Sequence, residues 1–405
     1  MGRLGTGAST RSIPRAGWLV PASVAVLTSA TAPLGASQSW TTDPDFEIVG
    51  PLDSGGDGGF GRVGSVRVSH DGLRVHVVEP LARRITVWSP GGQLLVRLEG
   101  EGRLSALGRP HDVRLLPDGF WATYDRHFIR FSDDGAVLHT LEYAMWGAET
   151  VLGDHSILAR ARLPQSAVMM GWMESEPPQH QAVLHHTGTS GDWTADTVAQ
   201  LDVRNVALGI RFDDGSSPFP EAMFATQPFS DADLSYFDGN MGSVGIVRRN
   251  GAPGEVVMTE ITARGDTVWR RTLALPPVPM GADQVEDTVQ HLASRTAATA
   301  QRLGRPISEA TARRLAEEAL YVPESLPAVA EVQATTSGEL WLRSAEMSDT
   351  LVVWYTVPRG DDVTPPRRVL LPTWFQLRDA AETLVWGLRS DPEHGLRVVG
   401  RRLVF

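Results

Sequence analysis

The sequence predicts an all-β fold of six radially arranged four-stranded units with one helical insertion. Three observations carry this. Short apolar strands alternate with tight turns along most of the 405 residues, the pattern repeats at a fixed spacing, and one internal stretch switches to helical periodicity. The stretch Ser65–Gly100 reads as four strands. Val66 and Val68 alternate, His70-Asp71-Gly72 turns, and Val75 and Val77 follow. Ile85–Trp88 comes next, Pro90-Gly91-Gly92 turns again, and Leu94–Val96 closes the set. Asp-Gly and Gly-Gly pairs are the residues that tight hairpins require, because they tolerate positive φ.

The same order recurs in His111–Glu142. There Pro117-Asp118-Gly119 stands 47 residues after the first turn, and Asp133-Asp134-Gly135 stands 43 after the second. Four strands at that period are the length of a β-propeller blade, a unit that buries both faces only by stacking against its neighbours. Ala148–Leu163 starts a third unit, completed by the runs QAVLHHTG and DTVAQLDV. Gly242–Leu275 forms a fourth, and Val329–Pro358 with RRVLLP a fifth. Glu382–Phe405 forms a sixth that is one strand short, and Phe46–Gly50 is expected to supply the missing strand and close the ring. The result is a six-bladed β-propeller over residues 37–405. Two stretches break the pattern. Asp283–Val322 predicts a helical hairpin between the fourth and fifth units, with Asp283 and Glu286 as a capping box and Ser308 capping the second helix. Arg211–Asn240 reads as an aromatic, acidic loop.

Residues 1–36 read as a signal peptide. Arg3, Arg11 and Arg15 precede a mostly apolar run from Trp18 to Ala32, and Leu34-Gly35-Ala36 offers a cleavage site. The run is short for a membrane span, Pro21 interrupts it, and no second long apolar run follows. The expectation is export to the periplasm or exterior with no stable span after cleavage, and a monomer. With no cysteine in the chain, disulfides, thiolate metal sites, cysteine nucleophiles and a lipoprotein anchor are excluded. All 37 basic residues are arginine, so Schiff-base, P-loop and kinase-type lysine chemistry is excluded as well. The formal charge of −11 argues against nucleic acid.

The string GFGRVGSV, Gly59–Val66, fits both the kinase glycine-loop pattern and the start of the dinucleotide fingerprint. The kinase pattern needs a lysine the chain lacks, and the dinucleotide pattern needs a strand before and a helix after. Here a Gly/Asp loop precedes and a strand follows, so the glycines are read as the entry to the first blade, with Phe60 packed between blades. G-x-S-x-G and H-E-x-x-H are absent. Adjacent His185 and His186 point to opposite faces of a strand. Asp231–Asn240 lacks the glycine and glutamate of a calcium loop.

Aligning the strands that would line a central channel places Asp112, Glu149, Glu331 and Glu382 at equivalent starts. Four carboxylates at one mouth could hold a hard cation such as Ca²⁺; alternatively each is solvated or paired with arginine. The twelve tryptophans, among them Trp88, Trp121, Trp146, Trp341 and Trp386, suit packing between blades; a carbohydrate or aromatic-ligand site is the alternative.

The run GFGRVGSVRVSHDGLRVHVVEPLARRITVWSPGGQLLVRL resembles an NHL-type propeller blade. With GDTVWRRTLAL ahead of a helical insert, GELWLR, VLLP and VWGLRSDPEHGLRVVGRRL, the chain from about Asp43 to Phe405 resembles a group of exported bacterial six-bladed propellers, mostly uncharacterised. That resemblance supports the fold far more than a function; the leading expectation is a binding or scaffold module that presents its channel mouth to a small ligand, peptide or protein partner. The alternative is an enzyme of another propeller type, a divalent-cation-dependent lactonase, esterase or lyase, marked by a mixed Glu/Asn/His/Asp set at the channel mouth. The sequence offers acids and His111 there, but no convincing asparagine.

Overall fold

The computed structural model describes residues 39–48, 60–99, 107–143, 147–161, 179–189, 192–212, 222–238, 240–360, 364–381, 383–391 and 395–404. The signal-peptide segment 1–36, Glu382 and Trp146 lie outside them. Strand β1 (Ser39–Ile48) comes first. A four-stranded sheet follows from β2 (Ser65–Val68), β3 (Val75–Glu79), β4 (Arg84–Trp88) and β5 (Leu94–Glu99), and a second from β6 (Pro110–Leu116), β7 (Gly119–Tyr124), β8 (His127–Phe131) and β9 (Val137–Glu142). The third is β10 (Ala148–Val151), β11 (Ile157–Arg160), β12 (His180–Thr189) and β13 (Asp192–Asp202). After a two-stranded hairpin, β14 (Ala207–Arg211) and β15 (Ala222–Thr226), the fourth sheet runs through β16 (Leu234–Asp238), β17 (Ser243–Arg248), β18 (Glu255–Thr262) and β19 (Thr267–Ala274).

Short strands β20 (Val278–Pro279) and β21 (Ser325–Leu326) bracket helices α1 (Ala282–Arg302) and α2 (Glu309–Ala319). The remaining strands are β22 (Val329–Ala334), β23 (Glu339–Met347), β24 (Leu351–Pro358), β25 (Arg367–Pro372), β26 (Gln376–Ala381), β27 (Leu384–Asp391) and β28 (Gly395–Val404). They form one eight-stranded sheet in the order β22-β23-β24-β25-β1-β28-β27-β26. Strand β1 is antiparallel to β28 from Thr41 opposite Val404 to Ile48 opposite Val398. It meets β25 in parallel only at Ser39 and Trp40.

The arrangement is mostly β and propeller-like. Edge strands touch: β2 with β6 and β26, β10 with β16, β16 with β22, and β22 with β26, the two edges of the eight-stranded sheet. Among the described residues six apolar clusters pack neighbouring sheets, or the two halves of the eight-stranded sheet, against each other. Val78 and Ile85 meet Val113 and Phe120, Trp121 meets Val151 and Ile157, and Val183 and Leu201 meet Val244 and Ile246. Tyr236 and Trp269 meet Val329 and Leu340, and Trp341 and Trp354 meet Leu377 and Val385. The last cluster packs Ile48, Trp386 and Val398 from the chain ends against Val66, Val77 and Trp88 from the first sheet. Both faces of a strand such as β3 are therefore covered, and all five of its residues are buried. Trp88, Trp121, Trp341 and Trp386 all serve this packing. Phe60 does too: it is fully buried, exchanges backbone hydrogen bonds with Leu396, and stands edge-on to Trp88 at 6.2 Å. The glycine string leads straight into β2, with no helix after it.

Two turns show why the repeat is legible. In Ser69-His70-Asp71-Gly72 the Asp71 carboxylate accepts from the Ser69 hydroxyl and the Leu73 amide, and Gly72 takes φ +71°. Ser132–Gly135 repeats the device with Asp134 and Gly135 at φ +89°.

The helices fall where expected, after the fourth sheet, and pack on the β14–β15 hairpin through Val289, Leu292 and Ala316 against Leu208, Ile210 and Met223. Ser308 caps α2 by accepting from the Thr311 amide at 3.1 Å. The expected capping box of α1 is absent. Gly281 is the N-cap without a side-chain bond, and Glu286 instead takes a bidentate pair from Arg313 of α2 at 2.6 and 2.7 Å. The loop expected over Arg211–Asn240 instead contains β15 and β16. Its strand character was masked because Tyr236 packs over a glycine on the partner strand; a Cβ at Gly245 would overlap the Tyr236 ring. The strands at the C-terminal end also begin earlier than read, with β26 at Gln376 pairing β27.

Candidate functional site

The touching edge strands surround a cavity of about 930 Å³. Its wall takes residues from β2, β6, β10, β16, β22 and β26 and from the turns that follow them. Three ionic clusters organise it, and each ties together segments far apart in sequence.

Arg67 of β2 reaches Asp112 of β6 at 3.2 Å. The Asp112 charge raises the Arg67 pKa further, although burial opposes it. Asp379 of β26 is fully buried. It accepts from the amides of Val68 at 2.8 Å, Thr336 at 2.9 Å and Ala380 at 2.8 Å, and from the Thr336 hydroxyl at 2.8 Å. One carboxylate thereby holds the ends of β2, β22 and β26 together. Burial pushes its pKa up, against the pull of Arg67 and of the amide donors.

The second cluster centres on Arg359, just after β24. It pairs with Asp238 at the end of β16 and, through two nitrogens, with Glu260 of β18. Glu260 is 1% exposed and also accepts from Trp269 Nε1 at 2.7 Å, from the Ser243 hydroxyl and from the Tyr236 hydroxyl at 3.2 Å. Burial alone would raise both carboxyls, but Arg359 and these donors outweigh it and hold both below their ordinary values.

The third cluster contains no carboxylate bond. Arg114 of β6 donates from Nε and Nη2 to the Asn240 side-chain oxygen at 3.3 and 3.0 Å, and its Nη1 is buried without a partner. Burial pushes its pKa down to about 10.

Of the four carboxylates expected at the channel mouth, Asp112 and Glu149 line this cavity. Glu331 is paired with Arg343 at 3.1 Å and is not part of the lining; Glu382 lies outside the described residues. Glu149 accepts from Arg160 at 2.5 Å. A guanidinium pairs with the carboxylate at all three described positions, the arginine pairing that the sequence held open beside a cation. Among the described residues no three His, Asp or Glu side chains converge closely enough to hold a metal ion. His111 pairs with Asp125 at 2.6 Å, and His185 bonds Ser156 at 2.8 Å while His186 is buried against Tyr143. Sequence reasoning missed Asp379, Asp238, Asn240, Arg114 and Arg359. The only local signal was a polar residue ending an apolar first strand, as in the Phe237-Asp238 pair.

His76 also lines the cavity, 4% exposed and edge-on to Phe120 at 5.0 Å. Burial pushes its pKa down to about 4, helped by Arg74 and opposed by Asp133. The folded state therefore keeps His76 neutral where the unfolded chain is already protonated. The contribution of His76 to stability is complete above pH ~6.5 and is lost as pH falls to about 4, by about 3 kcal/mol at most. Chemical denaturation at pH 7 and pH 4 should show His76→Leu losing less than the parent over that window. Equal losses would remove His76 from the account.

No protein-family model matches the chain, and no curated protein matches it. Among solved structures it is similar to a streptogramin B lyase, with 11% identity over 89% of this chain and 97% of the other and a TM-score of 0.40. It is similar to a member of the DUF4221 family from Bacteroides vulgatus, with 8% identity over 91% and 99% and a TM-score of 0.43. It is also similar to a calcium-binding protein, regucalcin, from Agrobacterium tumefaciens, with 8% identity over 90% and 97% and a TM-score of 0.35. The fold assignment rests on this chain's own strand pairing and packing. Among the described residues no helix is long and apolar enough to cross a membrane.

Proposed function

We propose that the chain is an exported six-bladed β-propeller that binds a small ligand in its central cavity. The blade count treats the eight-stranded sheet as two blades joined by the first two residues of β1, a reading supported by the six apolar clusters. Export rests on the sequence of residues 1–36.

The observation that carries the binding reading is the cavity itself. About 930 Å³ lies within the range of small-molecule sites, and the wall mixes a few fixed polar groups with apolar ones, as such sites do. Asp379 and Glu260 brace that wall, so it is formed before a ligand arrives. A binding module needs nothing further from these residues. Crystals soaked with a mixture of neutral and charged aromatic fragments test the reading. Fragment density in the cavity is expected; fragments confined to the outer surface, with none in the cavity, would overturn it.

A further inference from the structure

Building on the cavity-binding reading, we infer that the cavity takes an anionic ligand, a carboxylate or phosphate monoester on an apolar body, with its charge at Arg114. Four arginines line the cavity: Arg67, Arg74, Arg114 and Arg359. Three have a carboxylate partner in Asp112, Asp133 and Asp238. Arg114 has none among the described residues. Its two bonds go to one neutral amide oxygen, which offers no countercharge, and its Nη1 has no acceptor. A half-buried guanidinium left in this state is costly, and an oxyanion beside it supplies both the acceptor and the charge. Asp238 is near enough to favour the Arg114 charge, but it is bonded to Arg359.

The register adds a second cation. Arg114 is opposite Trp121, and Trp121 is opposite Arg130, so the three stand in one cross-strand row. Arg130 is paired with Asp118 through Nη2, yet its Nε is also buried without a partner. Two guanidinium groups thus flank one indole in this row; Arg114 and Trp121 line the cavity, and Arg130 stands behind them. Around them Leu116, Trp121, Phe128, Val151 and Phe237 form the apolar part of the wall. A charge at Arg114 with a ring or chain lying along these residues uses both features. Of the neighbouring carboxylates, Asp112 and Glu149 are each paired with an arginine, while Asp238 shares Arg359 with Glu260.

Titration calorimetry with benzoate, phenyl phosphate and benzamide tests this on the full chain. Benzoate or phenyl phosphate should bind roughly tenfold or more tightly than benzamide, and Arg114→Gln should remove that advantage while leaving benzamide unchanged. The better of the two anions identifies the source of the charge. Asn240→Asp keeps the shape but gives Arg114 an internal carboxylate. It should abolish anion binding and raise the melting temperature, which also shows that loss of binding is not loss of fold. Equal binding of benzamide and the anions, or anion binding unaffected by Arg114→Gln and Asn240→Asp, overturns the Arg114 assignment while the cavity reading stands. Binding of none of the three probes overturns both.

Discussion

Replacing Arg359 by methionine destabilises the fold by about 3–5 kcal/mol, because it leaves two carboxylates in a largely dehydrated site without their cation. Glu260 is 1% exposed, and the Arg359 and Asp238 side chains are 14% and 16% exposed, so water replaces little of what the guanidinium provides. Arg359 also joins two sheets: it follows β24 but bonds residues of β16 and β18. In a domain of this length the loss lowers the melting temperature by roughly 5 °C. A Glu260→Gln partner variant separates pairing from packing. If the pair is coupled, adding Glu260→Gln to Arg359→Met costs less than the sum of the two single changes, since the second change removes a charge already stranded. The sign of the pH dependence follows from the carboxyls. Both are held below their ordinary values, so the Arg359 contribution is present at neutral pH and fades as acid protonates them. A loss under about 1 kcal/mol for Arg359→Met, the range of an exposed ion pair, would show that the site is wetter than its geometry implies.

This cluster marks the limit of what the sequence displays. The sheets were legible because their information is local: Asp71-Gly72 and Asp134-Gly135 build their own turns within four residues, and Val66, Val68, Val75 and Val77 carry their strand periodicity openly. The helical hairpin was legible for the same reason. The cavity was legible only as acids at strand starts. Glu331 faces Arg343 directly across its hairpin, so that pairing lay within reach of a register argument. Arg67 meets Asp112 from another sheet, and Arg359 meets Asp238 across 121 positions of chain, distances at which a charge pattern names no partner. Strand β16 was hidden for a related reason. Leu234-Ser235-Tyr236-Phe237-Asp238 makes sense as a strand only beside Gly245, which leaves room for Tyr236, and Glu260, which takes its hydroxyl hydrogen. From the sequence the acids fit a cation site or arginine pairing alike, and the fold pairs the described ones with arginines drawn from the next strand or sheet.

Deleting residues 39–48 should have the largest effect of any change considered, because β1 is where the two ends of the chain meet. The sequence placed a closing strand at Phe46–Gly50, and the pairing of β1 with β28 begins earlier, at Thr41, and ends at Ile48. Along that length β1 covers β28 and delivers Ile48 into the cluster with Trp386 and Val66. Arg401, 6% exposed, donates to the Thr42 hydroxyl at 2.7 Å and the Thr42 carbonyl at 2.6 Å. Arg397 pairs with Glu47 at 3.1 Å, and Arg367 lies over the Trp40 ring at 4.6 Å. Without β1 the whole of β28 becomes an open edge bearing Val398, Val399 and Leu403, a template for pairing with other chains. Each lost backbone bond costs about 1 kcal/mol net, and the vacated Ile48 site adds a cavity penalty, so the total approaches the whole stability of a typical domain. The expected result is a chain that melts without a sharp transition and elutes as aggregate in size-exclusion chromatography. A synthetic peptide of residues 39–48 added during refolding should recover part of the cooperative transition, since the groove along β28 is set by the β26–β27–β28 register, which the peptide only completes. A deletion variant that melts like the parent would mean that closure lies elsewhere, with each four-stranded run stable without its chain-end partner.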